Sequence, residues 1–92
     1  MVNLEQKTSE TIATDVAKRV RTRRKEKKLT QIQMSERAGM SLASYKRFEQ
    51  KGEISFCSLI KIAIALDCEN DFDSLFSKKQ FSSLQELIDE QN

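Results

Sequence analysis

Apolar positions along this chain recur at helical spacing. Ile12, Val16 and Val20 lie on one side of a helix that Thr14 or Asp15 would cap, running through a basic stretch to near Leu29. Thr30 and Gln33 have the form of a capping box, with Met34, Ser35 and Ala38 on the inner face of the helix that follows. Gly39 ends it, as suits a residue that turns left-handed past a helix end. Ser41 then caps a third helix bearing Leu42, Tyr45 and Phe48, closed by Lys51 and Gly52. Ser55 caps a fourth, whose inward stripe is Phe56, Leu59, Ile62, Ala63 and Leu66. A short fifth helix is predicted over residues 71–76. An amphipathic one follows over 83–91, with Leu84, Leu87 and Ile88 along one side. Residues 1–10 show no period and read as a loose arm.

The absence of Pro, the presence of only two Gly, and the lack of an alternating Val/Ile/Thr run all favour helices over sheet. The expected fold class is all-α, a compact five-helix bundle with a short C-terminal amphipathic helix. At 92 residues the chain suffices for one domain. The expected division is a flexible arm over 1–11, a folded domain over 12–77 and an extension over 78–92.

The net charge of +2 says little, but its distribution is uneven. Lys18, Arg19, Arg21, Arg23, Arg24, Lys25, Lys27, Lys28, Arg37, Lys46, Arg47 and Lys51 face only Asp15, Glu26, Glu36 and Glu49. From Glu53 onward acidic residues dominate. A basic half joined to an acidic half suits a polyanion-binding unit with an appended piece of another role. Most of the run over 19–28 is expected to be a solvated helix face that attracts a polyanion without specificity.

Without His, Cys57 and Cys68 alone cannot complete a four-ligand zinc site, so no metal or other cofactor is expected. There is no Gly-rich phosphate loop and no inward cluster of acids, which argues against an enzyme. The longest apolar run, near residues 60–66, is too short to span a bilayer. A soluble, cytoplasmic protein with reduced thiols is therefore expected.

Two short helices joined by a glycine turn, the second flanked by basic residues, describe a helix-turn-helix. Ser35 supplies the small residue where the pair must approach closely. Tyr45 and Phe48 would tie the second helix to the core, leaving Leu42, Ala43, Ser44, Lys46 and Arg47 outward, as a major groove accepts. The stretch LTQIQMSERAG over 29–39, followed by SLASYKRFE over 41–49 and SFCSLIKIAIAL over 55–66, resembles the phage repressor and Cro-like helix-turn-helix family. Gln31, Ala38, Gly39, Phe48 and Glu49 fall at the family's spacing, and the likeness spans residues 15–76.

The resemblance implies a lambda-repressor-like fold, binding to double-stranded DNA, and a set of contacts. Ser41, Leu42, Ala43, Ser44 and Arg47 match base-facing positions. Arg47 is the candidate for direct readout, since a guanidinium can take both acceptors of a guanine edge. Leu42 and Ala43 depart from the polar residues common there. Leu42 either touches thymine methyl groups or packs the turn. Gln31, with the amides at the start of its helix, would meet a phosphate. Lys51, Gly52 and Ser55, in the loop after the recognition helix, match other backbone-contacting positions, and Thr30 and Lys46 are also expected at phosphates. Arg24 and Glu49 match a family salt bridge, with Arg24 also near a phosphate.

The fourth helix carries a second apolar stripe of Cys57, Ile60, Ile64 and Cys68. A helix apolar on two sides is usually buried on both. With Leu75, Phe76, Phe81, Leu84, Leu87 and Ile88, this stripe is expected either to receive the C-terminal helix or to form a homodimer interface, centred on Ile60, Ile64, Cys68 and Phe76. The cysteines read as small apolar residues. A competing reading comes from likeness of residues 41–49 and their continuation to antitoxin-type regulators, which bind a kinase-fold toxin as well as their operator.

Overall fold

A computed structural model describes residues 7–80 and 84–91. Helix α1 spans Ser9–Glu26, α2 Gln31–Ala38, α3 Leu42–Lys51 and α4 Phe56–Ala65. A 3-10 helix covers Glu69–Ser74, and α5 covers Leu84–Gln91. No strand occurs among the described residues, and none of their helices is long and apolar enough to cross a membrane.

Helix α1 starts earlier than its apolar period suggests. Its cap is Thr8, not Thr14 or Asp15, and Thr8 and Thr11 form a reciprocal capping box. Thr14 sits inside the helix, its hydroxyl donating to the Glu10 carbonyl at 2.9 Å. Residues 9–11, expected in the arm, are therefore helical. At the other end α1 stops at Glu26, and Lys28 turns left-handed at φ 57° to lead into Leu29.

The next three caps fall where the sequence places them. Thr30 accepts the Gln33 amide while the Gln33 side chain accepts the Thr30 amide. Ser41 and Ser55 accept the amides of Ser44 and Ser58, each at 3.1 Å. The fifth element is a 3-10 helix that starts at Glu69, ahead of residue 71, and carries no side-chain cap. Leu84 opens α5, and its expected cap, Ser83, lies outside the described residues, as does Phe81.

The core is built where α1 packs on α3, α2 on α3 and α4, and α4 on the 3-10 helix. Met34, Tyr45, Phe48 and Ile62 are its largest fully buried side chains, joined by Ala17, Leu29, Ala38 and Leu66. The Tyr45 and Phe48 rings meet edge to face, with centroids 6.2 Å apart. Each large apolar side chain removed from water contributes roughly 1.5–3 kcal/mol. Phe56 is the exception in the predicted inward stripe. Standing in the first turn of α4, it is 59% exposed, and its ring meets that of Phe72 edge to face, with centroids 5.8 Å apart.

Candidate nucleic-acid interface

Helix α3 is held by its inner face and open on its outer one. Tyr45 and Phe48 are buried, whereas Ser41, Ala43, Ser44, Lys46 and Arg47 are exposed. Leu42 is half-buried at the start of the helix, between the two roles its position allows. Ser41 and Ser44 are joined, the Ser41 hydroxyl donating to Ser44 Oγ at 2.8 Å. In α2, Ser35 is 3% exposed and its hydroxyl donates back to the Ile32 carbonyl at 2.8 Å, so the close approach leaves no orphan polar group.

Two glycines frame α3, for different reasons. Gly39 takes φ 67°, and no atom lies within 4 Å of a Cβ placed there; its requirement is backbone conformation. Gly52 takes φ 73°, and a Cβ would stand 2.7 Å from the Ala13 carbonyl carbon. Gly52 therefore combines the left-handed turn with direct contact of its loop against α1.

Beside α3, the start of α2 opens on a polar recess of about 640 Å³ lined by Arg21, Arg24, Thr30, Gln31, Glu49 and Gln50. Arg24 Nε and Nη2 donate to the two Glu49 oxygens at 2.7 and 3.2 Å, and Nη1 donates to the Leu29 carbonyl at 2.8 Å. Gln31 Nε2 also donates to Glu49, at 3.3 Å. Burial alone would raise the Glu49 carboxyl, but hydrogen bonding and charge from Arg24 outweigh it and hold the group below the usual carboxylate range. The same hydrogen bond raises the Arg24 guanidinium.

The Tyr45 hydroxyl lies close enough to this pair to feel its charge, yet completes no hydrogen bond. Burial, first, and the Glu49 carboxylate push its phenol well above the ordinary value.

The structure thus joins Arg24, Thr30, Gln31 and Glu49 in one place, but corrects the role expected of Arg24. At 7% exposure, with all three nitrogens committed, its guanidinium is a strut between α1 and α3 and is not open to a phosphate. The recess's solvent-facing cation is Arg21, whose side chain is 58% exposed and whose Nε is 3.9 Å from Glu49. Sequence reasoning passed over Arg21 as one of many charges in the basic run, although it lies one helical turn before Arg24. Lys46 and Lys51 stand exposed on α3, and Ser55 caps α4.

Arg47 does not stand alone. Its Nε donates to Glu53 Oε2 at 2.5 Å, with the two side chains 65% and 52% exposed. No periodic signal links residues on either side of a left-handed glycine, and Glu53 was not singled out from the sequence.

The apolar positions expected at an interface are spread along α4 and beyond. Ile60 and Cys68 are half-buried, Ile64 is 55% exposed and Phe76 is 97% exposed. Cys57 is an exposed free thiol, and the Cys68 thiol donates weakly to the Leu66 carbonyl at 3.4 Å. Among the described residues, no cluster of His, Cys, Asp or Glu could hold a metal ion.

A helix-turn-helix family model matches residues 20–69, from the last turns of α1 to the start of the 3-10 helix. No curated protein matches the chain. A rigidly mounted α3 with free outward residues, set behind a glycine turn and beside an open helix start, is the arrangement this family uses to meet DNA. The chain belongs to the helix-turn-helix family of the phage-repressor and Cro-like kind, and is a DNA-binding transcriptional regulator.

Proposed function

We propose that the chain is a repressor that binds a palindromic operator as a homodimer. The observation that carries this reading is the mounting of α3: Tyr45 and Phe48 fix it from behind, and Ser41, Ala43, Ser44, Lys46 and Arg47 are left exposed in front. In this reading α3 enters the major groove, with Arg47 on a guanine edge and Ala43, with Leu42, near thymine methyl groups. The start of α2 meets a phosphate through its free amides, the Gln31 side chain and Arg21. Thr30, Lys46, Lys51 and Ser55 flank the same strand and set register without reading sequence.

One helix reads only a few base pairs, so selectivity calls for a second copy with half-sites about 34 Å apart. The exposed Ile64 and Phe76, with the half-buried Ile60 and Cys68, supply apolar surface for that contact. In this reading the bound dimer represses by occupying a site that polymerase needs. The antitoxin-type alternative rests on resemblance alone, and co-purification of a kinase-fold protein with the tagged chain would favour it.

The test is selection of binding sites from random duplexes with the full chain, followed by titration against salt for wild type and Arg47→Ala. The expected result is an inverted repeat whose preference survives competitor DNA and weakens in Arg47→Ala. Binding that fades equally on every sequence as salt rises would leave charge attraction only, and the reading would fall.

A further inference from the structure

Arg47 is a long, exposed side chain, and a free guanidinium at such a position samples many rotamers. Reading a guanine edge requires one of them. The structure supplies a restraint. Arg47 Nε donates to Glu53 Oε2, and this bond uses Nε alone, so Glu53 does not occupy the two terminal NH2 groups.

Glu53 is itself mounted. It follows Gly52, whose backbone lies so close to Ala13 of α1 that a Cβ would stand 2.7 Å from the Ala13 carbonyl carbon. On its other side Ile54 packs against the core, and Ser55 caps α4 through the Ser58 amide at 3.1 Å. The carboxylate is therefore carried on a short loop tied to the body at both ends. An exposed ion pair like this one contributes little to stability, so its consequence is geometric.

We propose that Glu53 is a specificity-determining residue that positions Arg47, holding its Nε so that the terminal NH2 groups point end-on at a guanine. This rests on the reading of Arg47 as the base-contacting side chain. A carboxylate near the DNA also opposes binding to any phosphate backbone, but that cost falls on operator and other DNA alike, so it lowers affinity without changing preference. The preference rests on the positioning of Arg47.

The experiment uses the full chain as wild type, Arg47→Ala, Glu53→Ala, Glu53→Gln and the Arg47→Ala/Glu53→Ala pair. The probes are duplexes carrying the site selected by the wild type, and matched duplexes with single guanines replaced by adenine. Glu53→Ala is expected to lose roughly three- to tenfold of the preference at one guanine. Its affinity for unrelated duplex should stay equal or tighten. Glu53→Gln, which keeps an acceptor for Nε, should retain more of the preference. In the Arg47→Ala background, Glu53→Ala should change the preference no further.

Loss of preference in Arg47→Ala with full preference in Glu53→Ala overturns the role of Glu53 and leaves the Arg47 reading standing. A uniform gain in affinity for both Glu53 variants, with guanine preference unchanged, makes Glu53 a repelling charge only and also overturns it. Full preference in every variant removes the Arg47 reading together with the inference.

Discussion

The seam between α1 and α3 and the outer surface of α4 solve opposite problems. In the seam, a buried cation and anion satisfy each other: Arg24 and Glu49 side chains are 9% and 5% exposed, and they cross between two helices that carry no local signal for one another. Along α4 and the residues after it, apolar groups remain in water, with Phe56, Ile64, Leu75 and Phe76 each at least 48% exposed. The first region fixes where α3 stands. The second leaves apolar surface that the described residues do not cover. Damage to the seam should therefore cost stability and DNA binding together, whereas changes on α4 should leave the fold intact and act on association.

The largest effect is expected from the buried pair. Removing one partner strands a charge in the interior, which typically costs about 3–5 kcal/mol, a large share of a small domain's stability. Glu49→Gln should therefore unfold at much lower denaturant concentration, with an unchanged m-value if the two-state transition survives. The pH dependence sharpens the assignment. Glu49 is held below its ordinary value of 4.5, so its contribution is complete above that range and is lost as pH falls through the depressed value. The stability gap between wild type and Glu49→Gln should be full near neutrality and narrow in acid. A gap that does not change with pH would assign the loss to shape rather than charge.

The two glycines give the next largest contrast. Gly39→Ala meets no atom and should cost about 1–2 kcal/mol, the strain of a left-handed side-chain-bearing residue. Gly52→Ala adds a collision with the Ala13 backbone, and overpacking of this kind contributes roughly 1–3 kcal/mol more. Thermal melts of the two variants would show the order. Equal losses would mean that α1 yields at Ala13, and Gly52→Ala would then disturb DNA binding without extra destabilisation.

Much of this was legible in the sequence, and the failures share a cause. The caps at Thr30, Ser41 and Ser55 and the stops at Gly39 and Gly52 are local chemistry, decided by a residue and its neighbours three positions on, so they read directly. The start of α1 was misplaced because Thr8 and Thr14 are both plausible caps, and only the reciprocal bond to Thr11 distinguishes them. Phe56 fits the apolar period of α4, but period assigns a face and not a depth, and the first turn projects past the body of the core. Arg24 with Glu49 came from family resemblance alone. The exposed Arg21 and the pairing of Arg47 with Glu53 depend on how whole helices are set against each other, which no spacing along the chain records.

On the apolar side, Ile64→Lys is expected to leave the melting temperature within a few degrees of wild type. It should shift sedimentation from dimer toward monomer and weaken binding to a two-half-site operator more than to one half-site. A dimer that persists in Ile64→Lys would move the contact elsewhere.

The smallest and most discriminating change is at Phe76. This residue is 97% exposed and takes φ 59°, so within one chain it gains nothing from burial while its backbone sits where a bulky side chain is disfavoured. Phe76→Asn, which tolerates the left-handed region, should raise the stability of the isolated chain by about 0.5–1 kcal/mol. If Phe76 serves association, the same variant should bind its own kind less well, so that stability at low protein concentration rises while stability at high concentration falls. Denaturation at two concentrations a hundredfold apart would register both signs. A gain that is the same at both would place Phe76 outside any dimer contact and confine the interface to α4.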